Sequence, residues 1–136
     1  MSTRLAGFLV FVLLLLAGCA TTPPPPGRAD VVPKERISAP DLLQPAPGRN
    51  IPVVITRDGG FMGATMGCRV YIDGREIARF SVAETLTIYL SPGEYKIRLW
   101  NDFFGEYKST ATITAGTPQK FRIWVVGQDG FQIVRS

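Results

Sequence analysis

The chain has 136 residues, a formal net charge of +4, two cysteines and no histidine, which is enough for one small domain and too little for two. Without histidine, Ser-His-Asp and Cys-His catalysis are excluded, and the most common zinc and copper ligand is missing. The charge is also too small for a typical nucleic-acid-binding protein. We therefore expect a non-enzymatic protein with no metal, no cofactor and no nucleic-acid partner.

The N-terminal residues have the pattern of an export signal. Arg4 is followed by an unbroken apolar run over residues 5–18. These fourteen residues are fewer than the roughly 20 that a helix needs to cross the hydrocarbon core of a bilayer. We predict a signal peptide over residues 1–18, not a transmembrane helix.

The apolar run ends in Leu16, Ala17, Gly18 and Cys19, which resembles the lipobox of bacterial lipoproteins. In that family the signal peptidase recognises the residues before the cysteine, and the cysteine carries the acyl chains. The resemblance implies that Cys19 is lipidated and anchors the protein to a membrane, since each buried methylene contributes about 0.8 kcal/mol. The next residue is Ala20 and not Asp, which in the enterobacterial sorting pattern favours the outer membrane, facing the periplasm.

A proline-rich stretch follows the cysteine. Residues 20–50 hold eight of the eleven prolines, and proline lacks an N–H and restricts the residue before it. We predict that residues 19–50 are a lipidated cysteine and a disordered tether of polyproline II and coil, reaching at most about 95 Å. The alternative is that residues 37–43 form a short helix or dock on the domain, because two leucines follow the potential helix cap Asp41.

Residues 51–136 are predicted to form one all-β domain. Apolar and polar residues alternate, and turn residues recur every eight to twelve positions. The alternating segments are 51–57, 68–72, 75–81, 85–90, 94–100, 107–114, 119–126 and 131–135. Close spacing favours hairpins and antiparallel pairing, and a single sheet would leave one apolar face in water. We predict a small antiparallel β-sandwich of seven to eight strands, of the immunoglobulin-like kind.

Local signals give more detail within this domain. Asp73-Gly74 predicts a type I′ hairpin turn, and Pro92-Gly93 predicts a type II turn. Phe80 is shifted from the alternation of its strand, which indicates a β-bulge.

Two stretches of the domain read V-Y-I-D-G-R-E-I-A over residues 70–78 and L-T-I-Y-L-S-P-G-E-Y-K-I over residues 86–97. They resemble PEGA-like domains, in which a V-Y-V-D-G-K hairpin precedes a strand ending in L-P-P-G-E-Y within a small β-sandwich of bacterial envelope proteins. They also resemble a group of short bacterial lipoproteins with a domain of uncharacterised function. Ser91 stands where a proline is common, and a glycine-rich segment is inserted before Cys68. The resemblance implies the fold and supplies no catalytic residue.

Cys68 shares one strand face with Val70 and Ile72. With Cys19 assigned to lipid, it has no disulfide partner in the chain. We interpret it as a small buried apolar residue and not as a reactive thiol.

The glycine-rich segment of residues 59–67 is the most unusual part of the sequence, with four glycines and three large apolar residues, Phe61, Met62 and Met66. It lacks the Lys-Ser/Thr pair of a P-loop and the strand-to-helix context, so phosphate binding is not expected. Two interpretations remain: Phe61 and Met62 fold back on the edge of the sandwich, or the loop presents apolar side chains to a partner.

Four aromatic residues are further candidates. Phe103 and Phe104 are adjacent in a short loop and cannot both easily enter one core, so one of them is expected to be exposed. Trp100 and Trp124 fall out of phase with the inward positions of their strands. Either the tether or a long loop covers the outer face of the sheet on which they lie, or one of them belongs to an aromatic shelf that stacks on sugar rings.

The carboxylates fall mostly in turns or on solvent-exposed strand faces. Nothing in the sequence indicates the pair of carboxylates, about 5–9.5 Å apart, that a glycosidase needs.

We expect a lipid-anchored envelope protein whose sandwich is a structural or protein-interaction module. The alternative is a module that binds peptidoglycan or lipopolysaccharide. The candidate contact residues are Phe61, Met62, Met66, Trp100, Phe103, Phe104 and Trp124.

Overall fold

The structure is a computed structural model that describes residues 21–60, 65–125 and 130–136. Within these ranges the chain forms two short 3₁₀ helices, Lys34–Arg36 and Pro40–Leu43, and nine strands. None of the helices in these ranges is long and apolar enough to cross a membrane. The strands are β1 (Asp30–Val31), β2 (Ile51–Arg57), β3 (Cys68–Ile72), β4 (Arg75–Phe80), β5 (Glu84–Leu90), β6 (Gly93–Asn101), β7 (Gly105–Ile113), β8 (Gln119–Val125) and β9 (Phe131–Arg135).

The strands form two sheets that pack face to face. The five-stranded sheet has the order β1-β5-β2-β8-β9, and the four-stranded sheet has the order β4-β3-β6-β7. Alternate residues of each strand enter the core between the sheets, such as Ile55, Ile88 and Ile123 from one sheet and Val70 and Leu99 from the other. The predicted all-β sandwich is confirmed. Eight strands lie within residues 51–136, and the ninth, β1, lies in the proline-rich segment.

Strand pairing is antiparallel except at two places. β1 pairs with β5, and β2 pairs with β8, in the parallel sense. The prediction of antiparallel pairing within residues 51–136 is wrong for β2 and β8, and β1 lies in the segment for which no strand was predicted. The chain passes through β3 to β7 between β2 and β8, which gives it the length that a parallel connection requires.

The predicted hairpin between β3 and β4 is confirmed. Asp73 has φ 48° and Gly74 has φ 81°, the two positive angles of a type I′ turn. The bulge is also confirmed: Val70 pairs with Ala78 while Tyr71 pairs with Glu76. Ile77 is the extra residue and lies between Glu76 and Ala78. Both Ile77 and Ala78 are therefore buried.

The turn at Pro92-Gly93 differs from its prediction. Gly93 has φ 151° and begins β6, whereas the glycine of a type II turn has φ near +80°. The prediction of a type II turn is therefore wrong. β5 and β6 belong to different sheets, so the chain crosses from one sheet to the other here and does not reverse within a sheet.

The proline-rich segment is packed on the domain. Val32, Ala39 and Leu42 are buried in the core. β1 lies along the edge strand β5, and Ile37 forms an isolated bridge with Ala78 of β4. The segment therefore covers the neighbouring edges of both sheets, which protects them from pairing with other chains.

The predicted disordered tether over residues 19–50 does not hold for residues 30–43, nor for Thr21 and Thr22, which are docked on the domain beside Gly59. The alternative of docking at residues 37–43 is confirmed. Pro33 is the cap of the first 3₁₀ helix and Pro40 is the first residue of the second. At these positions the missing N–H of proline leaves no hydrogen bond unmade. Proline is thus compatible with the packed segment, and the buried apolar residues between the prolines hold it on the domain.

The two ends of the sandwich carry different parts of the chain. What we call the Thr21 end carries the last residues of β2, β6 and β8, with Thr22 paired to Gly59 and the Val125 N–H donating to the Thr21 hydroxyl (3.4 Å). What we call the opposite end carries the Asp73-Gly74 turn, the connection at Pro92 and the turn before β8.

Candidate binding surface on the four-stranded sheet

Outward side chains of the four-stranded sheet form a surface of cations and aromatic rings. The alternation that buries Val70, Ile97 and Leu99 turns their neighbours outward. Five outward residues are cations and three are carboxylates. We call this surface the basic face; its members are Arg69, Tyr71, Glu76, Arg79, Glu94, Lys96, Arg98, Trp100, Glu106, Lys108, Thr110 and Thr112.

A groove of about 670 Å³ lies on the basic face between β6 and β7. Lys96 pairs with Thr110 and Arg98 pairs with Lys108 in the strand register, and all four line the groove. No carboxylate belongs to its described lining. With Ser109 also in the lining, the groove therefore offers three positive charges and two hydroxyl-bearing residues to an anionic group.

One carboxylate stands beside the groove. Glu106 lies 3.4 Å from Arg98 Nη1 and 3.4 Å from Lys108 Nζ. Lys108 is 74% exposed, and Arg98 and Glu106 are 35% and 34% exposed. Ion pairs of this length that water reaches contribute little, because water screens them. An anion in the groove would compete with Glu106 at small cost.

Two aromatic rings are held in fixed positions on the same face. The Arg98 guanidinium lies 3.8 Å above the ring of Tyr71, and the Tyr71 hydroxyl donates to Glu76 (3.1 Å). Trp100 Nε1 donates to Asp102 (3.1 Å). A hydrogen bond to Tyr71 raises the pKa of Arg69, so this guanidinium also stays charged beside the rings. The basic face thus combines planar apolar surfaces with cations.

The two tryptophans do not share a surface. Trp124 lies on the outer face of the five-stranded sheet, with the Arg122 guanidinium 5.5 Å from its ring. Its indole nitrogen is buried and has no hydrogen-bond partner among the described residues. Of the two tryptophans, Trp100 is the one that stands on the basic face.

The predicted phenylalanine pair divides as expected. Phe103 is 74% exposed, while Phe104 is half-buried against the ring of Phe131, with 5.6 Å between centroids. The expectation that one of the two is exposed is confirmed. Met66 is half-buried, and its carbonyl accepts a hydrogen bond from Arg57. These residues lie at the Thr21 end and not on the basic face.

Several predicted residues lie outside the described parts of the chain. They are the candidate contacts Phe61 and Met62 and the lipobox residues Leu16, Ala17, Gly18 and Cys19.

Cys68 is fully buried, as predicted. Burial raises the pKa of its thiol to about 12, so the thiolate that would act as a nucleophile is scarce at neutral pH. Its interpretation as a small buried apolar residue is confirmed.

Sequence reasoning missed a buried arginine next to this cysteine. Arg57 is 2% exposed, donates to the Phe80 carbonyl (2.8 Å) and lies 4.6 Å from the centre of the Phe131 ring. Burial lowers the pKa of Arg57. The sequence pattern indicates this burial. Buried and half-buried residues alternate along the whole of β2, so Arg57 occupies the inward position that follows Val53 and Ile55.

A buried ion pair lies at the same end. Arg122 donates twice to the buried carboxylate of Asp58, with Nε and Nη2 each 2.6 Å from an oxygen. Hydrogen bonding to Asp58 raises the pKa of Arg122. This carboxylate is therefore engaged in holding β2 to β8 and is not open to a substrate.

The described residues contain no group of three or more His, Cys, Asp or Glu side chains placed to hold a metal ion. Comparisons of the chain with family models, with curated proteins and with solved structures gave no match. The resemblance to PEGA-like domains stays a prediction.

Proposed function

We propose that this protein is a lipid-anchored, non-enzymatic protein of the bacterial cell envelope that binds an anionic glycan on its basic face. The groove between β6 and β7, with three cations and no carboxylate in its described lining, carries the proposal. Carboxylates and phosphates form strong charge-assisted hydrogen bonds with Lys and Arg. Trp100 adds a ring on which a sugar can stack, whereas the ring of Tyr71 is covered by the Arg98 guanidinium. Peptidoglycan and lipopolysaccharide combine both kinds of group.

The character of the surface favours a glycan over a protein. Stable protein interfaces usually have an apolar or aromatic core in which Lys, Glu and Asp are depleted, whereas the basic face carries two lysines and three glutamates. Among the described residues, the exposed large apolar side chains are Val31, Phe103 and Val134, and none of them lies on the basic face. A polar, charged ligand fits this surface better than a second protein chain.

Membrane anchoring rests on the sequence. The residues from Leu16 to Cys19 supply the lipobox pattern, and Ala20 favours the outer membrane facing the periplasm. A protein held there would lie beside peptidoglycan. The proposal that the protein is not an enzyme rests on its lack of histidine and on the ion pairs that engage the two buried carboxylates of the described residues, Asp58 with Arg122 and Glu84 with Arg36.

Sedimentation with purified peptidoglycan sacculi, and separately with lipopolysaccharide, tests the binding proposal. The double variant K96Q/K108Q removes two groove cations. If each contributes about 0.7 kcal/mol, their joint loss lowers the affinity about tenfold. The matched control is K34Q/K120Q, which removes two exposed lysines elsewhere on the surface with the same change in net charge.

We expect K96Q/K108Q and Trp100→Ala to reduce retention and K34Q/K120Q to leave it nearly unchanged. Equal losses in the two double variants would show nonspecific attraction to a cation and would contradict a site in the groove. A photo-crosslinker at position 108 in cells gives an independent test. A discrete protein adduct there would contradict the glycan proposal and show that the basic face binds a protein.

The anchor is tested separately. The mass of the N-terminal peptide reports acyl chains on Cys19, and Cys19→Ala is expected to move the protein from the membrane fraction to the soluble fraction. An unmodified Cys19 would contradict the anchor and leave the glycan site untouched.

A further inference from the structure

The chain joins the folded domain directly behind the proposed lipidation site. Thr21 is buried, and Thr22 and Gly59 exchange two backbone hydrogen bonds of 3.1 and 2.8 Å. In the sequence only Ala20 separates Thr21 from Cys19. Two residues span at most about 7 Å. A lipid on Cys19 would therefore hold the Thr21 end of the sandwich against the bilayer.

Phe103 lies at this same end, as a series of contacts shows. Val125, whose N–H donates to Thr21, pairs with Phe131 across the β8–β9 register. The rings of Phe131 and Phe104 are 5.6 Å apart, and those of Phe104 and Phe103 are 5.0 Å apart. The exposed phenylalanine is thus within a few side chains of the point where the chain joins the domain.

The side chain of Asn101 fixes the loop that carries Phe103. The side-chain oxygen of Asn101 accepts from the backbone N–H groups of Phe103 (2.9 Å) and Phe104 (3.0 Å), and its nitrogen donates to the Gly67 carbonyl (2.7 Å). Asn101 itself is buried. The Phe103 ring is therefore held out in the solvent by a hydrogen-bonded loop.

Exposed apolar side chains are unevenly placed along the sandwich. Phe103 is 74% exposed and Val31 is 70% exposed. Val31 pairs with Thr85, the second residue of β5, and so lies close to the Thr21 end. Val134 pairs with Arg122, Arg122 with Thr56, and Thr56 with Thr85. Val134 therefore lies in the same row of the five-stranded sheet as Val31, at its other edge. The described turns of the opposite end contain no exposed large apolar side chain.

We propose that the Thr21 end is a lipid-contacting surface, with Phe103 inserted at the boundary between headgroups and acyl chains. The proposal rests on the proposed lipidation of Cys19. An aromatic ring exposed next to a bilayer gains by burial in it. The strands then stand upright on the membrane. Lys96 is five residues from Asn101 along β6, so the groove lies about 17 Å from this end.

Nitroxide depth measurements on the lipidated protein test this orientation. The lipidated full-length mature protein is reconstituted in vesicles of phosphatidylethanolamine and phosphatidylglycerol, with a spin label on Phe103→Cys. The matched control carries the label on Thr117→Cys, an exposed position at the opposite end. Cys68 is fully buried with its pKa raised to about 12, so it is protected from the label, and a lipidated Cys19 has no free thiol.

We expect the label at position 103 to be far more accessible to oxygen than to a water-soluble nickel complex, and the label at position 117 to show the reverse. Equal exposure of both labels to the nickel complex, with acyl chains present on Cys19, would overturn the lipid-contacting surface and leave the anchor intact. Oxygen access at position 117 would overturn the orientation. Absence of acyl chains on Cys19, read from the mass of the same sample, would overturn the anchor and this inference together.

Discussion

The two ends of the sandwich contain ion pairs of similar geometry in very different surroundings. At the Thr21 end, Arg122 donates twice to Asp58, whose side chain is 1% exposed. At the opposite end, Arg75 donates twice to Asp41, whose side chain is 50% exposed. The Arg122–Asp58 pair therefore has its carboxylate in the protein interior, whereas the Arg75–Asp41 pair is exposed to solvent. Burial, more than geometry, decides what each pair contributes to stability.

Buried polar groups follow the same division. Of the six buried polar or charged residues among those described, Gln119 lies at the opposite end and the other five lie at the Thr21 end. These five are Thr21, Arg57, Asp58, Glu84 and Asn101. The Thr21 end is therefore held by a polar network. The opposite end is held by tight turns and by the apolar contact of Leu42.

The largest expected effect is at the buried pair. Arg122→Met leaves the Asp58 carboxylate buried without its guanidinium, which we expect to lower the free energy of unfolding by about 3–5 kcal/mol. The matched control is Arg75→Met, where the exposed Asp41 regains water and no resolvable loss is expected. Urea denaturation of both variants measures the difference, and equal losses would contradict the contrast between the two ends.

Leu42→Ala tests the apolar attachment of the opposite end. Leu42 is 7% exposed and belongs to the core, so its truncation leaves a cavity. We expect a loss of about 2–4 kcal/mol in the free energy of unfolding. Leu43→Ala, at a partly buried neighbour, is the control and should lose clearly less. A loss at Leu42 no larger than at Leu43 would show that the segment of residues 30–43 adds little to the stability of the domain.

Asn101 and Gln119 are buried amides at opposite ends with opposite hydrogen-bonding. Asn101 makes three hydrogen bonds, whereas Gln119 Oε1 has no partner among the described residues. We expect Asn101→Ala to lower the free energy of unfolding by about 1–3 kcal/mol, and Gln119→Leu to leave it unchanged or raise it. Thermal unfolding of the two variants measures this, and a larger loss for Gln119→Leu would contradict the assignment.

The smallest expected effect is the dependence of stability on pH through Asp41. Hydrogen bonding from Arg75 lowers the pKa of Asp41 from 3.8 to about 2. A lowered pKa in the folded state means that the contribution of Asp41 is fully present above about pH 4 and is lost as the pH falls towards 2. Asp41→Asn should therefore differ slightly from the natural protein at neutral pH, and this difference should shrink as the pH falls through 2. A difference that grew on acidification would contradict the sign.

The strands of residues 51–136 were predictable because each has one buried face, so apolar residues alternate along it. The bulge at Ile77 and the Asp73-Gly74 turn follow from equally local rules. The parallel pairing of β2 with β8 does not, since alternation along one strand carries no information about its neighbour. Arg57 fits the inward alternation of β2, but a charged residue in that position was not recognised as buried.

The packed segment of residues 30–43 was missed for a different reason. Its proline content suggested a solvated tether, yet Pro33 and Pro40 occupy 3₁₀ helix starts where they are tolerated. Val32, Ala39 and Leu42 were the available signal. The basic face was also missed as a unit. Lys96, Arg98 and Lys108 are outward residues of predicted strands, but only the register of β6 with β7 brings them to one groove.

The docking of Thr21 also sets the order in which the chain can fold. Its partner Val125 lies 104 residues later, and Arg122, which donates to the Thr21 carbonyl, lies 101 residues later. Contacts of such high sequence separation form slowly, because a long loop must close before they are made. Thr21 thus cannot make these contacts until β8 has been synthesised and placed beside β2. Any enzyme that processes the chain just ahead of Thr21 has that interval in which to reach it.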